Sequence, residues 1–347
     1  MSNRILGYLA PRQFLRRHWQ KRPLLVRAAL PQGADLVDAA TLRSLARRDD
    51  VESRIVERRA ARWETTHGPF RSLPVPKRDF TLLVSGVNLH VPAADALLRR
   101  FAFVPQARLD DVMVSYATPG GGVGPHVDSY DVFLLQGSGR RRWRVWDAQD
   151  RFFDEWVVEQ GDLLYVPPGW KHDGVALETC FTYSIGFRAP RGAELAAAFL
   201  DWLHERGLPD ASYRDPGLRP TAAPGRIPAE LVRFSEKLLS RIRWRRADIT
   251  EFLGRYLTEP KPHVVFRPSG TRGPMITLDP KTQLLYCGGL FFLNGETVRP
   301  PRRFAKALRE LADRRIVAAR RLAGAPLEGL TSSWLRAGYA HRVRPQR

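Results

Sequence analysis

Two stretches decide the fold of this chain: Gly120-Gly-Gly-Val-Gly-Pro-His126-Val-Asp128, and Gly161-Asp-Leu-Leu-Tyr-Val-Pro-Pro-Gly169-Trp-Lys-His172. In the first, His126 and Asp128 are two residues apart, so on an extended strand both side chains leave the same face. In the second, a buried-type strand ends in a Pro-Pro-Gly turn that re-aims the chain, and His172 follows. A neighbouring strand carrying His172 would bring a second imidazole to that face. Two imidazoles and one carboxylate on one face of an octahedral ion make the facial triad of non-haem Fe(II) oxygenases. Three protein ligands leave three positions open, two for a 2-oxo acid and one for dioxygen. An HxD pair alone occurs often by chance. An HxD after a glycine-rich turn, with G-D-x-x-x-x-P-x-G-x-x-H placing its histidine 44 residues beyond Asp128, is a specific pattern. His18, His67, His90, His204, His263 and His341 lack such context and read as ordinary core or surface histidines.

Short β-type runs surround these motifs: Thr81-Leu-Leu-Val-Ser, Asp111-Val-Met-Val-Ser-Tyr, Asp131-Val-Phe-Leu-Leu, Arg142-Trp-Arg-Val-Trp, Asp162-Leu-Leu-Tyr-Val and Phe181-Thr-Tyr-Ser-Ile. Gly and Pro punctuate them, which predicts a mostly β sandwich or barrel over residues 1–192, preceded by short helices near 11–19 and 39–48. Residues 193–257 turn helical: Ala193 to Leu203 has helical apolar spacing, and Ile227–Leu239 and Ala247–Leu257 follow after a Pro/Gly-rich loop. These helices lack a large core of their own, which suits packing against a second subunit. Residues 258–347 read as α+β and winged-helix-like, with strands at 263–266, 283–286 and 289–293 and helices at 301–311 and 332–337.

A 2-oxo diacid needs a cation for its far carboxylate, and arginine pairs bidentately while keeping its charge when buried. The run Gly137-Ser-Gly-Arg140-Arg141-Arg142-Trp143 supplies candidates. A hairpin at Gly137–Gly139 would put Arg141 and Trp143 on one face and Arg140 and Arg142 on the other, and Arg141 is taken as the inward residue. Ser115 and Ser184, on the strands before the glycine loop and after His172, are candidate hydroxyl contacts. Asp110, Asp111, Tyr130 and Asp131 flank the ligand strand and are candidate walls for a cationic substrate side chain.

The chain has 347 residues with a formal charge of +20, 44% hydrophobic residues and two cysteines far apart. The composition predicts a folded protein, excludes a disulfide framework or thiolate zinc site, and offers no apolar run long enough for a signal peptide or membrane span. A cytoplasmic location is expected. Residues 301–347 hold twelve Lys/Arg against three Asp/Glu, a tail that suits contact with nucleic acid or a purely structural module.

The sequence resembles the bacterial JmjC-type ribosomal oxygenases of the cupin superfamily. The resemblance lies in Phe14-Leu-Arg-Arg-His-Trp-Gln-Lys-Arg-Pro-Leu-Leu-Val-Arg, Asp111-Val-Met-Val-Ser-Tyr, Pro119 through Phe133, Gln136-Gly-Ser-Gly-Arg-Arg-Arg-Trp-Arg-Val, Tyr183-Ser-Ile-Gly-Phe-Arg-Ala-Pro and Phe252-Leu-Gly-Arg-Tyr-Leu-Thr-Glu-Pro-Lys-Pro. It implies a double-stranded β-helix catalytic domain, a helical dimerisation region and a C-terminal winged-helix-like domain. It further implies Fe(II) on His126, Asp128 and His172, 2-oxoglutarate and O2 as co-substrates with Ser115 and Arg141 as contacts, and a homodimer. The implied reaction is arginine 3-hydroxylation of large-subunit ribosomal protein sixteen. Trp170 and Lys171 before His172 stand where relatives can differ, which leaves the pocket rim less defined. The competing readings are a cupin metalloenzyme that does not use 2-oxoglutarate, a nucleic-acid-binding regulator on a vestigial barrel, and a hydroxylase of another basic protein or a small molecule. Succinate release coupled to substrate oxidation separates the first rival. Salt-dependent RNA affinity without turnover would mark the second.

Overall fold

In the computed structural model, residues 4–30, 35–60 and 62–344 are described; the outermost residues of the expected first and third domains, 1–3 and 345–347, lie outside that range. Twelve strands build the N-terminal part: β1 (Leu24–Val26), β2 (Ser53–Arg59), β3 (Arg62–His67), β4 (Phe80–Val84), β5 (Leu109–Ala117), β6 (His126–Val127), β7 (Val132–Gln136), β8 (Arg141–Trp146), β9 (Phe152–Val158), β10 (Leu163–Val166), β11 (Lys171–Ala176) and β12 (Cys180–Phe187). Helices α1 (Pro11–Arg17), α2 (Ala39–Leu45) and α3 (Pro92–Arg99) accompany them. An eight-stranded antiparallel sheet runs in the order β1-β10-β7-β12-β5-β4-β2-β3, and a four-stranded sheet in the order β6-β11-β8-β9.

The period-2 alternation of the strands explains why both sheets are needed. Val132, Leu134, Leu164 and Val166 turn one face of the main sheet toward Trp143, Val145 and Val158 of the small sheet. Their neighbours Phe133, Leu135, Leu163 and Tyr165 turn the other way, into a core shared with Phe14, Leu42 and Leu97 of the three helices. Every residue of β4, β7 and β10 is therefore buried, which is why those runs read as continuous apolar segments. Each fully buried phenylalanine in that core contributes roughly 2 kcal/mol of transfer free energy.

The chain divides into two compact units: Met1–Ala189 with Pro260–Gln283 and Arg303–Arg347, and Pro190–Glu259 with Leu284–Arg302. In the second unit, α4 (Gly192–Glu205), α5 (Ala229–Leu239) and α6 (Arg246–Thr258) accompany a three-stranded sheet of Leu284–Cys287, Leu290–Leu293 and Glu296–Val298. Gly254 of α6 is in contact with Phe292, where a Cβ would stand 2.3 Å from the ring. The first unit also holds the three-stranded sheet Met275–Leu278, Ile316–Ala318 and Ala340–Val343, with helices Ala305–Arg314 and Leu327–Ala337. One expectation fails here: residues 263–266 form no strand, and the strand lies at Met275–Leu278. Pro262 and Pro268 bracket the apolar run and cannot donate to a ladder. Among the described residues no helix is long and apolar enough to cross a membrane.

Candidate metal centre

The turn before β6 has room only for glycine. A Cβ on Gly121 would stand 2.2 Å from the Phe80 carbonyl oxygen, and Gly124 has φ +80° with Trp63 against its Cα. A Gly121→Ala substitution is expected to destabilise the protein by at least about 2 kcal/mol in urea unfolding, because backbone must move; a change within about 0.5 kcal/mol would contradict this tight packing.

This turn delivers His126 to β6, where His126 and His172 are direct antiparallel partners on β6 and β11. Their ring centroids are 4.2 Å apart. Asp128, just past β6, places Oδ2 3.7 Å from Nε2 of His172. One ligating atom from each of the three side chains lies within 4.8 Å of the others. Nδ1 of His126 lies 3.0 Å from the Gly124 carbonyl, and Nδ1 of His172 3.0 Å from the Trp170 carbonyl. A carbonyl only accepts, so each Nδ1 carries the proton and each Nε2 keeps a lone pair for an ion. Burial, and then the His126 ring, push the pKa of His172 down, which keeps that imidazole neutral.

A cavity of about 700 Å³ opens between the sheets around these three residues. Arg141, Ser115 and Ser184 all line it. Arg141 shares the buried face of β8 with Trp143 and Val145, while Arg142, Arg144 and Trp146 are less buried. Arg141 is 4% exposed. It reaches the Gly174 carbonyl at 3.3 Å and Cys180 Sγ at 3.7 Å, and its Nε has no partner. Ser115 is buried and donates to the Thr182 carbonyl at 3.5 Å, while Ser184 is half-buried. A buried cation with so few acceptors fits an anionic ligand such as the far carboxylate of 2-oxoglutarate. Thr81, which the sequence reading missed, is fully buried on the same cavity with an unpartnered hydroxyl. Nothing in an all-apolar strand marks it beforehand.

Asp110, Asp111 and Tyr130 line the cavity as well, together with Glu52. Asp111 accepts from the Gly86 N–H at 2.7 Å, and burial with Asp110 beside it raises its pKa to about 6. Burial, then the Asp128 carboxylate, raise the Tyr130 pKa, so it stays a phenol. Asp131 does not join them. It is fully buried, accepting from Tyr165 Oη at 2.6 Å, Gln20 Nε2 at 3.0 Å and Arg108 Nη2 at 3.4 Å. It is a structural anchor because the next strand position faces the opposite core. Asp131→Ala is expected to cost about 3 kcal/mol of stability in denaturant titration; a loss below about 1 kcal/mol would contradict the anchoring role.

Residues 96–195 match the JmjC domain, and residues 241–341 match the ROXA-like winged helix. The ribosomal protein uL16 3-hydroxylase of Escherichia coli is 35% identical over 322 residues, covering 84% of this chain and 86% of that protein. The chain belongs to the ribosomal oxygenases. Solved structures of the family member YcfD from Escherichia coli agree with this. The complex with cobalt and 2-oxoglutarate superposes with a TM-score of 0.81 at 33% identity, covering 96% of this chain and 98% of that one. A complex with cobalt and succinic acid gives 0.80. This ribosomal oxygenase accordingly has a JmjC, cupin-like catalytic core with a C-terminal winged-helix domain, and it is an Fe(II)- and 2-oxoglutarate-dependent oxygenase.

Proposed function

We propose that the chain hydroxylates C3 of an arginine side chain in the large-subunit ribosomal protein uL16, with His126, Asp128 and His172 as the iron ligands. Ser115, Arg141 and Ser184 face 2-oxoglutarate in this reading. The observation that carries it is one cavity holding three kinds of group: the buried Arg141 with an unpartnered Nε, the His-Asp-His cluster, and the carboxylates of Glu52, Asp110 and Asp111, which share the lining with Arg54 and Lys261. Dicarboxylate, metal and guanidinium each find their complement there. The similarity to a uL16 3-hydroxylase supports the substrate.

When bound, iron with 2-oxoglutarate and O2 supplies the oxidising power that puts a hydroxyl on an unactivated carbon. The chain's own residues do the positioning. Arg141 pairs with the far carboxylate, and its burial keeps that pair out of water. The Gly124 and Trp170 carbonyls fix the imidazole tautomers. Asp111 orients the substrate guanidinium so that one carbon faces the triad, while Asp110 beside it is held by Arg188 and Lys261. Tyr130, kept as a phenol, gives the arginine stem a flat wall.

Ionised Asp111 is the form that binds a guanidinium, and its pKa is raised to about 6. Affinity for the substrate is therefore present above that pH and lost as pH falls through it. KM for uL16 is expected to rise about tenfold from pH 7 to pH 5, and Asp111→Asn should flatten that profile; an equally steep profile in the variant would exclude Asp111.

The exposed apolar side chains of Leu200, Leu239, Ile249 and Leu253 on α4, α5 and α6 support a homodimer formed through the helical region 193–257. The basic stretch 301–347 supports contact with ribosomal RNA, and a ribosomal substrate supports a cytoplasmic location. The deciding experiment is mass spectrometry of purified uL16 incubated with enzyme, Fe(II), 2-oxoglutarate and O2. A gain of one oxygen atom on an arginine is expected; no gain on uL16, with a gain on another basic protein, would reassign the substrate.

A further inference from the structure

The enzyme carries a formal charge of +20, and ribosomal proteins that bind RNA are themselves basic. Net charge therefore opposes their encounter. One segment runs against the trend. Residues 147–162 hold six carboxylates and a single cation, Arg151. They contain β9, the edge strand of the small sheet.

The local cations are already engaged. Arg151 pairs with Asp147, Lys171 with Asp150, Arg144 with Asp173 and Arg27 with Asp162. Asp154, Glu155 and Glu159 are exposed and have no cationic partner among the described residues. Between these acids stand aromatic rings. Phe152 is 60% exposed and Phe153 46% exposed. The β8–β9 register slips between Val145 and Trp146, so that Phe153 has no partner on β8. Such a bulge re-aims a side chain. Here Phe153 stands edge-on to Trp170 at 5.0 Å and to Trp156 at 6.1 Å. Trp170 stands two residues before His172, and its backbone carbonyl accepts from that imidazole, while the Trp156 and Trp170 rings pack against the core between the sheets.

We propose that the Phe153–Trp156–Trp170 surface, with Asp154 on the same face of β9 as Trp156, is a docking site for a lysine- and arginine-rich segment of the protein substrate outside the residue that is hydroxylated. This rests on the reading of the enzyme as a hydroxylase of a ribosomal protein. Aliphatic stems and cationic heads lie well on aromatic faces, and the exposed Asp154 carboxylate at the rim supplies complementary charge. The segment lies on the side-chain face and does not add a strand. The open edge of β9 is capped, because Arg27 donates to the Val157 carbonyl and the Glu155 N–H donates to the Asp154 carboxylate. Recognition of a basic protein by a basic enzyme then draws on this strip as well as on the carboxylates of the cavity.

The test compares the wild-type enzyme with two variants, Phe153→Ala and Asp154→Asn. Asp154→Asn keeps the side-chain oxygen that accepts from Glu155. Affinity for intact uL16 is measured by fluorescence titration, and turnover is measured on intact uL16 and on a short peptide bearing the target arginine. Each variant is expected to bind intact uL16 about five- to tenfold more weakly, with KM rising alike and peptide turnover within about twofold of wild type. Unchanged affinity in both variants overturns the docking site. So does peptide turnover that falls in parallel, which would mean damage to the centre itself, or loss of self-association, which would assign the face to a second copy of the chain. Hydroxylation by wild type is scored separately: its absence sinks the functional reading, while the binding data alone decide the surface.

Discussion

Alanine at His126, Asp128 or His172 is expected to lower uL16 hydroxylation by at least about three orders of magnitude, while leaving the fold intact by circular dichroism. The facial arrangement has no spare donor. Each side chain supplies one ligating atom, the three atoms lie within 4.8 Å of one another, and no other metal-binding group of this kind occurs among the described residues. Losing one ligand weakens the ion and opens a fourth position to water. The pair His126 and His172 carries an added consequence of register. Because they are direct cross-strand partners, a substitution that slips β6 against β11 by one residue turns one imidazole to the far face. Activity that survives in any single variant, measured as succinate formed per oxygen transferred, would show that the metal sits elsewhere.

The second large effect concerns Arg141. Arg141→Ala is expected to raise KM for 2-oxoglutarate by about a hundredfold or more, since a buried charge-assisted bidentate pair is worth several kcal/mol. Arg141→Lys should recover only part of this, because an ammonium keeps the charge and loses the planar fork. The KM for uL16 should move little. Alanine at Arg140, which pairs on the surface with Glu178, should leave both constants within about twofold. If Arg140→Ala matched Arg141→Ala, the inward assignment would be wrong.

Much of this site was legible in the residues because its chemistry is periodic. A spacing of two puts His126 and Asp128 near one point, and the same period turns Arg141 inward beside Trp143 while Arg142 and Arg144 stay less buried. The glycine-rich turn marked the HxD motif, and the structure shows why glycine is needed there: Phe80 and Trp63 leave no room for a Cβ at Gly121 and Gly124. What stayed hidden has physical reasons as well. Strand β9, Phe152–Val158, carries Asp154 and Glu155 between its rings and lies exposed at an edge, so it lacks the apolar run that marks a buried strand. The β2–β3 hairpin is rich in Arg and Glu and exposed along β3. Thr81 sits in a strand buried on both faces, where no local signal tells the cavity side from the core side. Asp131 was a candidate substrate contact by proximity in sequence, and one step of the pleat carries it instead to Tyr165 and Gln20.

The most direct test of the centre is an anaerobic titration of metal-free protein with Fe(II) in the presence of 2-oxoglutarate, followed by visible charge-transfer absorption. The His-Asp-His arrangement predicts saturation at one equivalent of iron, with the band absent in His172→Ala and displaced to higher 2-oxoglutarate concentration in Arg141→Ala. Saturation at any other stoichiometry, or an undiminished band in His172→Ala, would contradict it.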